Sequence, residues 1–234
     1  MKEKGHLHPI SAAVARINAI FYKLGFELAD GPLVESEWYN FDALNVPRDH
    51  PARDMQDTFF VKGKGEAVLR THTSPVQVRY LEKYGAPARI IAPGRVFRNE
   101  ATDATHEAQF FQMEGLCIDK GISLAHLKGT LEHFFLAFFE RSVAIRFRPG
   151  YFPFVEPGVE VDMLLRKSDG SERWVEVMGA GMVHPNVLRA ANVDPNEYGG
   201  FAFGFGIERL IMIAAEIDDM RLFHTGDLRF IHQF

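Results

Sequence analysis

The sequence predicts a single α+β domain, and three observations carry that prediction. Residues 95–117 read as two strands around a polar loop, and residues 159–164 and 174–178 read as two more around a short turn, all with a side-chain period of two. Amphipathic helices with a three- and four-residue period stand apart from these strands, at residues 10–24 and 124–138. The Gly-rich segment at residues 199–206 lacks the third glycine of a dinucleotide fingerprint, and no repeated parallel βαβ units surround it, which argues against a doubly wound parallel sheet.

The chain has 234 residues, 47% of them hydrophobic, which is ample for one continuous core. No run of Gly, Ser or Pro divides it and no internal repeat is present, so residues 1–234 are read as one domain; the only low-complexity patch is Gly63-Lys64-Gly65. The longest apolar run, Phe134 to Phe139, is too short to span a bilayer, and Met1-Lys2-Glu3-Lys4 has no apolar stretch behind it. The expectation is therefore no signal peptide and no membrane. A lone Cys117 excludes an internal disulfide framework and fits a reducing, cytoplasmic setting, where it serves packing. The net charge is -5, and no basic stripe is evident. Phosphate backbones are gripped by Lys and Arg, so if RNA is a partner, most of the grip is expected from another chain or segment.

The elements follow in order. His8-Pro9 opens a helix, since Pro suits the first helical position; Ile10, Val14, Ile17, Phe21 and Leu24 form its apolar stripe, and Gly25 ends it. Gly31-Pro32 begins an extended stretch, residues 40–47 are turn-rich, and residues 50–59 form a polar loop leading into a strand. Val68-Leu69-Arg70-Thr71-His72-Thr73-Ser74-Pro75 is a strand running into a helix, with Ser74 at the N-cap and Val78, Leu81 and Tyr84 packing before Gly85. That helix start offers unpaired N–H groups that can receive a carboxylate.

Next comes the segment around which the chain is organised. Arg98 and Glu100 share one face of the outgoing strand, and Phe110, Gln112 and Glu114 one face of the returning strand. If the two pair as a hairpin, these side chains line one pocket floor while Phe97, Phe111 and Met113 face a core. A cation, two carboxylates, an amide and an aromatic plate suit a ligand with an amine, an anionic group and a flat ring.

Ser123 then caps a core helix with an apolar face of Leu124, Leu127, Leu131, Phe134, Phe135 and Phe138; His126 and His133 have no second ligand at metal spacing. Phe152, Phe154 and Glu156 share one face if their segment is extended, and the flanking prolines place it at an edge or in a loop, where the rings need an apolar cover. Glu160, Asp162 and Glu176 alternate on the next two strands, joined by a Ser168-Asp169-Gly170-Ser171 turn; solvent faces and metal carboxylates are both open to them. Gly179 to Asn186 leads into a short helix, and residues 199–206 form a strand that enters another, near whose start lies Arg209. No Gly-Lys-Ser/Thr phosphate loop occurs.

Phe97-Arg98-Asn99-Glu100, Thr105-His106-Glu107 and Phe111-Gln112-Met113-Glu114-Gly115 resemble motif 2 of class II aminoacyl-tRNA synthetases, and Gly204-Phe205-Gly206-Ile207-Glu208-Arg209 resembles motif 3. More narrowly, residues 5–234 are similar to the alpha-subunit family of bacterial phenylalanyl-tRNA synthetases. The resemblance implies the class II catalytic fold, an antiparallel sheet flanked by helices, and a ligase that joins L-phenylalanine to AMP from ATP, then passes it to tRNA(Phe). It implies that Arg98 and Arg209 are catalytic. Together with Glu100, His106 and Phe110 they would bind ATP, and Glu156 would hold Mg²⁺. It implies that His72, Ser74, Gln77, Gln112, Glu114, Phe152, Phe154, Ala202 and Gly204 bind phenylalanine, with Ala202 at the far end of the ring.

The partners it implies are a beta subunit, two of each in the family, or an alpha homodimer through the region of Ile10, Val14 and Ile17, which would then be only partly buried internally. A family arm of N-terminal helices that contacts tRNA is expected to be absent from residues 1–234. Gln56 departs from the family, many of whose members have an aromatic or histidine there, in a loop that the resemblance puts near ATP. A regulatory or structural paralogue would be expected to lose the arginines and the polar pocket. An amino-acid-activating enzyme that does not use tRNA stays open.

Overall fold

The period-two segments pair into one seven-stranded sheet in a computed structural model that describes residues 5, 7–53, 57–63, 65–166 and 170–234. Numbered in chain order, its strands are β1 (Glu27–Leu28), β4 (Ala88–Phe97), β5 (Gln109–Asp119), β6 (Ile145–Phe152), β7 (Val155–Arg166), β8 (Glu172–Val183) and β9 (Gly199–Gly206). A small ribbon of β2 (Val34–Ser36) and β3 (Ala67–Leu69) stands apart. The spatial order is β1-β4-β5-β9-β8-β7-β6; only β1 with β4 is parallel. The helices are α1 (Pro9–Lys23), α2 (Glu37–Asn40), α3 (Pro75–Tyr84), α4 (Leu124–Phe139), α5 (Pro185–Ala190), α6 (Ile207–Ala215) and α7 (Leu228–Ile231). This is the expected α+β architecture. Among the described residues no helix is long and apolar enough to cross a membrane.

Strand β9 shows how the sequence divides the two faces. Phe201, Phe203 and Phe205 point to the side covered by α1, α4 and α6, where Phe21 stacks on Phe203 at 5.3 Å and on Phe134 at 5.0 Å. Each such ring contributes about 1.5–3 kcal/mol through burial. Ala202 joins a second apolar cluster on the opposite side, with residues of α3 and α5. Gly115 lies opposite Phe203 in the register, and a Cβ there would meet the ring at 2.1 Å, so only glycine lets the ring lie flat on β5.

Several local expectations change. Ile10 and Ile17 are buried within the chain, because α1 lies between α4 and α6, and are not the partly satisfied residues anticipated, whereas Val14 is partly buried at the edge of the same cluster, as expected. Tyr84 is 63% exposed because it ends α3 beyond the packed turn, and Leu124 is also exposed. At α4, the Ser123 N–H donates to His126 Nδ1 at 3.1 Å, so His126 serves the helix start. The expected statements about Met1 to Lys4, Gln56, Lys64, Ser168 and Asp169 lie outside the described residues.

Candidate active site

The two segments pair as a hairpin, with Phe111 and Met113 against the larger apolar cluster, but β4 ends at Phe97, so Arg98 and Glu100 lie in the loop beyond it and not on a strand face, and Phe97 joins neither apolar cluster. In β4 and β5, Gly94 faces Gln112 and Ala92 faces Glu114, so small residues on one strand leave room above the polar pair on the other. On the other side of β5, Gly204 pairs with Glu114 and Gly206 with Gln112. The result is a cavity of about 550 Å³ with a floor of small residues, Ala202, Gly204 and Gly179, within the roughly 300–1,000 Å³ usual for small-molecule sites. His72, Ser74, Gln112, Glu114, Phe152 and Phe154 line one part of it, and Arg98, His106, Phe110 and Arg209 another. A side cavity of about 170 Å³ adds Glu100 to Arg98, His106, Phe110 and Arg209.

Glu114 is the electrostatic centre of the first part. It is 4% exposed, accepts from Ser74 Oγ at 2.6 Å, from Gln112 Nε2 at 3.3 Å and from Gln77 Nε2, which stands behind it. Burial pushes its pKa up to about 7, against the pull of those hydrogen bonds and of Arg70. Ser74 occupies the N-cap position of α3, yet its hydroxyl makes no capping bond; it is committed to the carboxylate. Among the described residues Gln112 Oε1 and His72 Nδ1 are buried without a partner, although a buried orphan polar atom costs about 1–3 kcal/mol. Both belong to side chains of the cavity wall, where a ligand N–H could satisfy them. Burial, reinforced by Arg98 and Arg70, pulls the His72 pKa down to about 3, so its ring is neutral across the physiological range.

The aromatic wall is set by glycine. Phe152 and Phe154 stack with centroids 6.0 Å apart, and a Cβ on Gly179 would meet the Phe152 ring at 2.8 Å. Between β6 and β7 the chain turns at Pro153-Phe154, and the register shifts between Gly150 and Phe152 and between Val155 and Gly158. The expected common face of Phe152, Phe154 and Glu156 therefore breaks. Glu156 is not brought to the cavity: its side chain is 75% exposed and lies 3.3 Å from His184 Nε2.

The other part is cationic. Arg98 Nε donates to the Thr71 carbonyl at 3.3 Å, and its guanidinium lies 5.1 Å from the Phe110 centroid. Burial lowers its pKa against the pull of Glu100 and Asp57, without threatening a guanidinium's charge. The loop carrying His106 is folded around Asp103, which accepts from the N–H groups of Thr105 and His106 at 2.6 and 2.8 Å. Arg209 projects from the first turn of α6, and the preceding Glu208 is buried with both carboxylate oxygens accepting from the Phe111 N–H at 2.9 and 3.0 Å. Glu208 thus ties the α6 start to β5; its role was not evident from sequence because residues 111 and 208 are remote in the chain.

Of the alternating carboxylates, Asp162 is buried and held by Arg146 at 2.8 Å and Arg148 at 2.6 Å, while Glu160 pairs with Arg148 at 2.8 Å. Glu176 lines the cavity, its pKa raised by burial and by Glu160. Among the described residues, no three His, Cys, Asp or Glu side chains gather as a protein-only metal cage.

A mainly antiparallel sheet with an arginine-flanked cavity on one face is the architecture of class II synthetase catalytic cores. Pyrrolysyl-tRNA synthetase from Desulfitobacterium hafniense superposes with a TM-score of 0.70 over 93% of this chain and 73% of its own, at 18% identity, a likeness of fold alone. A model of the class II core domain of tRNA synthetases matches residues 1–234. The phenylalanine–tRNA ligase alpha subunit of Coxiella burnetii (strain RSA 493 / Nine Mile phase I) is 55% identical over 230 residues, covering 98% of this chain and 68% of the relative. That of Xanthomonas euvesicatoria pv. vesicatoria (strain 85-10) is 54% identical over 232 residues, covering 99% and 69%. The chain belongs to the class II tRNA synthetase core family and, within it, to the phenylalanine–tRNA ligase alpha subunits.

Proposed function

We propose that this chain is the catalytic alpha subunit, or its core, of a ligase that activates L-phenylalanine with ATP and charges tRNA(Phe). The observation that carries the reading is one cavity with an amine-seeking carboxylate and an apolar slot at one part and two arginines at another. Glu114 and Gln112 receive the substrate ammonium, with the neutral His72 and Ser74 beside them and Gln77 holding Glu114. The benzyl ring lies against Phe152 and Phe154 over Gly204, with Ala202 at its far end. Edge-to-face contacts with such rings add about 0.5–1.5 kcal/mol beyond area.

ATP occupies the cationic part, its adenine between Phe110 and Arg209, with Glu100 and His106 beside the nucleotide. A carboxylate oxygen of phenylalanine bonds to the α-phosphorus as the bond from that phosphorus to the oxygen bridging to the β-phosphorus breaks, and the electron pair leaves with diphosphate. Arg98 stabilises the charge that gathers on the α-phosphoryl oxygens, so the site works by positioning and electrostatics, with no protein nucleophile. Mg²⁺ takes one or two carboxylates plus substrate phosphates and keeps several waters. Glu176, on the cavity wall, fits such a role and the outward Glu156 does not; when bound, the ion would neutralise phosphate charge.

A beta subunit is the proposed partner and the cytoplasm the proposed location. The net charge of -5 supports leaving much of the tRNA grip to that partner or to other segments. The test is phenylalanine-dependent ATP–diphosphate exchange, with and without an added beta subunit. Exchange stimulated equally by tyrosine would overturn the specificity, and none in either setting would overturn the activity.

A further inference from the structure

Asn45 stands where the turn-rich stretch of residues 40–47 leaves the short 3₁₀ turn Asp42–Leu44, and its backbone lies in the left-handed region at φ 59°. Glycine meets that backbone demand at least as well. What asparagine adds is its amide, and both ends of it are engaged. Nδ2 donates to the Pro153 carbonyl at 2.7 Å, and Oδ1 accepts from Asn186 Nδ2 at 2.9 Å. Asn186 Oδ1 in turn accepts from Arg189 Nη1 at 2.7 Å. A carbonyl can only accept and a guanidinium can only donate, so the two ends of this chain fix which way both amides point.

The base under Asn45 is braced. Leu44 and Val46, on either side of it, are buried in the second apolar cluster with Phe41, and Arg53 donates to Asp42 at 3.0 Å and to the Val46 carbonyl. The other end reaches the aromatic wall. Pro153 is the buried residue between Phe152 and Phe154, at the reversal from β6 to β7. The Phe154 carbonyl accepts from the His184 N–H at 2.9 Å, a backbone bond that does not involve Asn45. The turn is thus held at two successive carbonyls, one by a side chain and one by the main chain. A rotation of the peptide that joins Pro153 to Phe154 would carry the Phe154 ring away from Phe152, 6.0 Å off, and from His72, 6.2 Å off. Among the described residues that line the main cavity Asn45 is not one; it stands behind the wall.

We propose that Asn45 is a positioning residue for the amino-acid slot: its amide clamps the Pro153-Phe154 turn so that the Phe152 and Phe154 rings meet the substrate side chain in one arrangement. The clamp deepens the phenylalanine reading of the cavity and rests on it for the identity of the substrate. The clamping itself can be measured with no ligand present.

The experiment compares wild type with Asn45→Gly, Asn45→Asp and Asn186→Ala by amide hydrogen exchange of the ligand-free chain, calorimetric titration of phenylalanine, and ATP–diphosphate exchange kinetics. Asn45→Gly keeps the left-handed turn and removes only the amide. It should speed amide exchange in residues 150–156 by about threefold to tenfold, the range of one net hydrogen bond, and leave residues 40–44 unchanged. The Kd and KM for phenylalanine should rise by the same factor. The kcat and the KM for ATP should stay within about twofold, the pattern of substrate binding lost without loss of chemistry. Asn45→Asp, also at home in the left-handed region, should lose at least as much, because its carboxylate would face the Pro153 carbonyl. Asn186→Ala, on the surface, should lose less than Asn45→Gly. If turn shape were the whole purpose of Asn45, both Asn45→Gly and Asn45→Asp would match wild type. Amide exchange in residues 150–156 changed by less than about threefold in Asn45→Gly would overturn the clamp. Faster amide exchange with the phenylalanine Kd and KM changed by less than about threefold, or with the KM for ATP rising equally, would overturn the positioning role. Faster amide exchange in Asn45→Gly, with wild-type protein that neither binds nor activates phenylalanine, would overturn the phenylalanine reading alone.

Discussion

Phenylalanine binding should carry the titration of Glu114. Its carboxyl is buried and its pKa is pushed up to about 7, so near neutrality the empty site is divided between a carboxylic acid and the carboxylate that an ammonium requires. A group with a pKa near 7 is about 90% ionised at pH 8 and about 10% at pH 6, so the apparent Kd should rise about tenfold between those values, equivalent to roughly 1.4 kcal/mol. His72 does not contribute, because its pKa near 3 leaves it neutral throughout. At pH 7 binding should release about half a proton, seen as a buffer-dependent enthalpy. Glu114→Gln should weaken binding by about 1.5–3 kcal/mol, the size of a hydrogen bond to a charged group, and flatten the pH profile. The stability effect has the opposite sense: with a folded pKa above its ordinary 4.5, Glu114 contributes stability below that value that is lost as pH rises through 7. Glu114→Gln should therefore gain on wild type in thermal unfolding at pH 8 compared with pH 5. A wild-type Kd unchanged from pH 6 to 8 would refute the assignment.

Other substitutions separate chemistry, specificity and packing. Arg98→Ala should lose about 2–4 kcal/mol of transition-state stabilisation in exchange at saturating ATP, the scale of one preorganised donor; a near wild-type rate would remove Arg98 from the reaction. Ala202→Gly should admit para-chlorophenylalanine and Ala202→Val should impair phenylalanine, each by about 1–3 kcal/mol in kcat/KM; an unchanged preference would take Ala202 out of the pocket. Gly115→Ala should lower stability by about 1–3 kcal/mol in denaturant unfolding, since its Cβ would overlap a buried ring. Unaltered stability would show that Phe203 relaxes freely.

How far the sequence led depended on whether a feature is local. The pairing of β4 with β5 and the alternation of rings with small residues along β9 both reflect a period of two within one strand, although β4 stops at Phe97, short of Arg98 and Glu100. The alternation along β5 puts Phe110, Gln112 and Glu114 on one wall, which Arg98 joins from the loop after β4. The contacts that tune them are remote: Ser74 and Gln77 reach Glu114 from α3, and Glu208 reaches Phe111 from α6, pairings that no periodicity encodes. Glu156 went astray for a local reason of another kind. Counting by twos from Phe152 assumes unbroken strand, but the chain turns at Pro153-Phe154 and the register slips on both sides, so the count inverts before it reaches residue 156.

The two faces of the central strands also bear on what selection of residues the site permits. Phe201, Phe203 and Phe205 anchor β9 in the larger apolar cluster, and that anchoring is what allows Ala202 and Gly204, one residue away, to stay small without losing the strand. A glycine in a strand interior weakens it, so a cavity floor of Gly179 and Gly204 would be fragile if its reverse side were also lightly packed. The cost of an open floor is offset by rings on the opposite face. Substitutions at Ala202 and Gly204 should therefore change the ligand more than the fold, and substitutions at Phe201, Phe203 or Gly115 the fold more than the ligand. The sheet lets the two sets vary separately because its side chains alternate, which is the same property that made the site readable along β5 and β9.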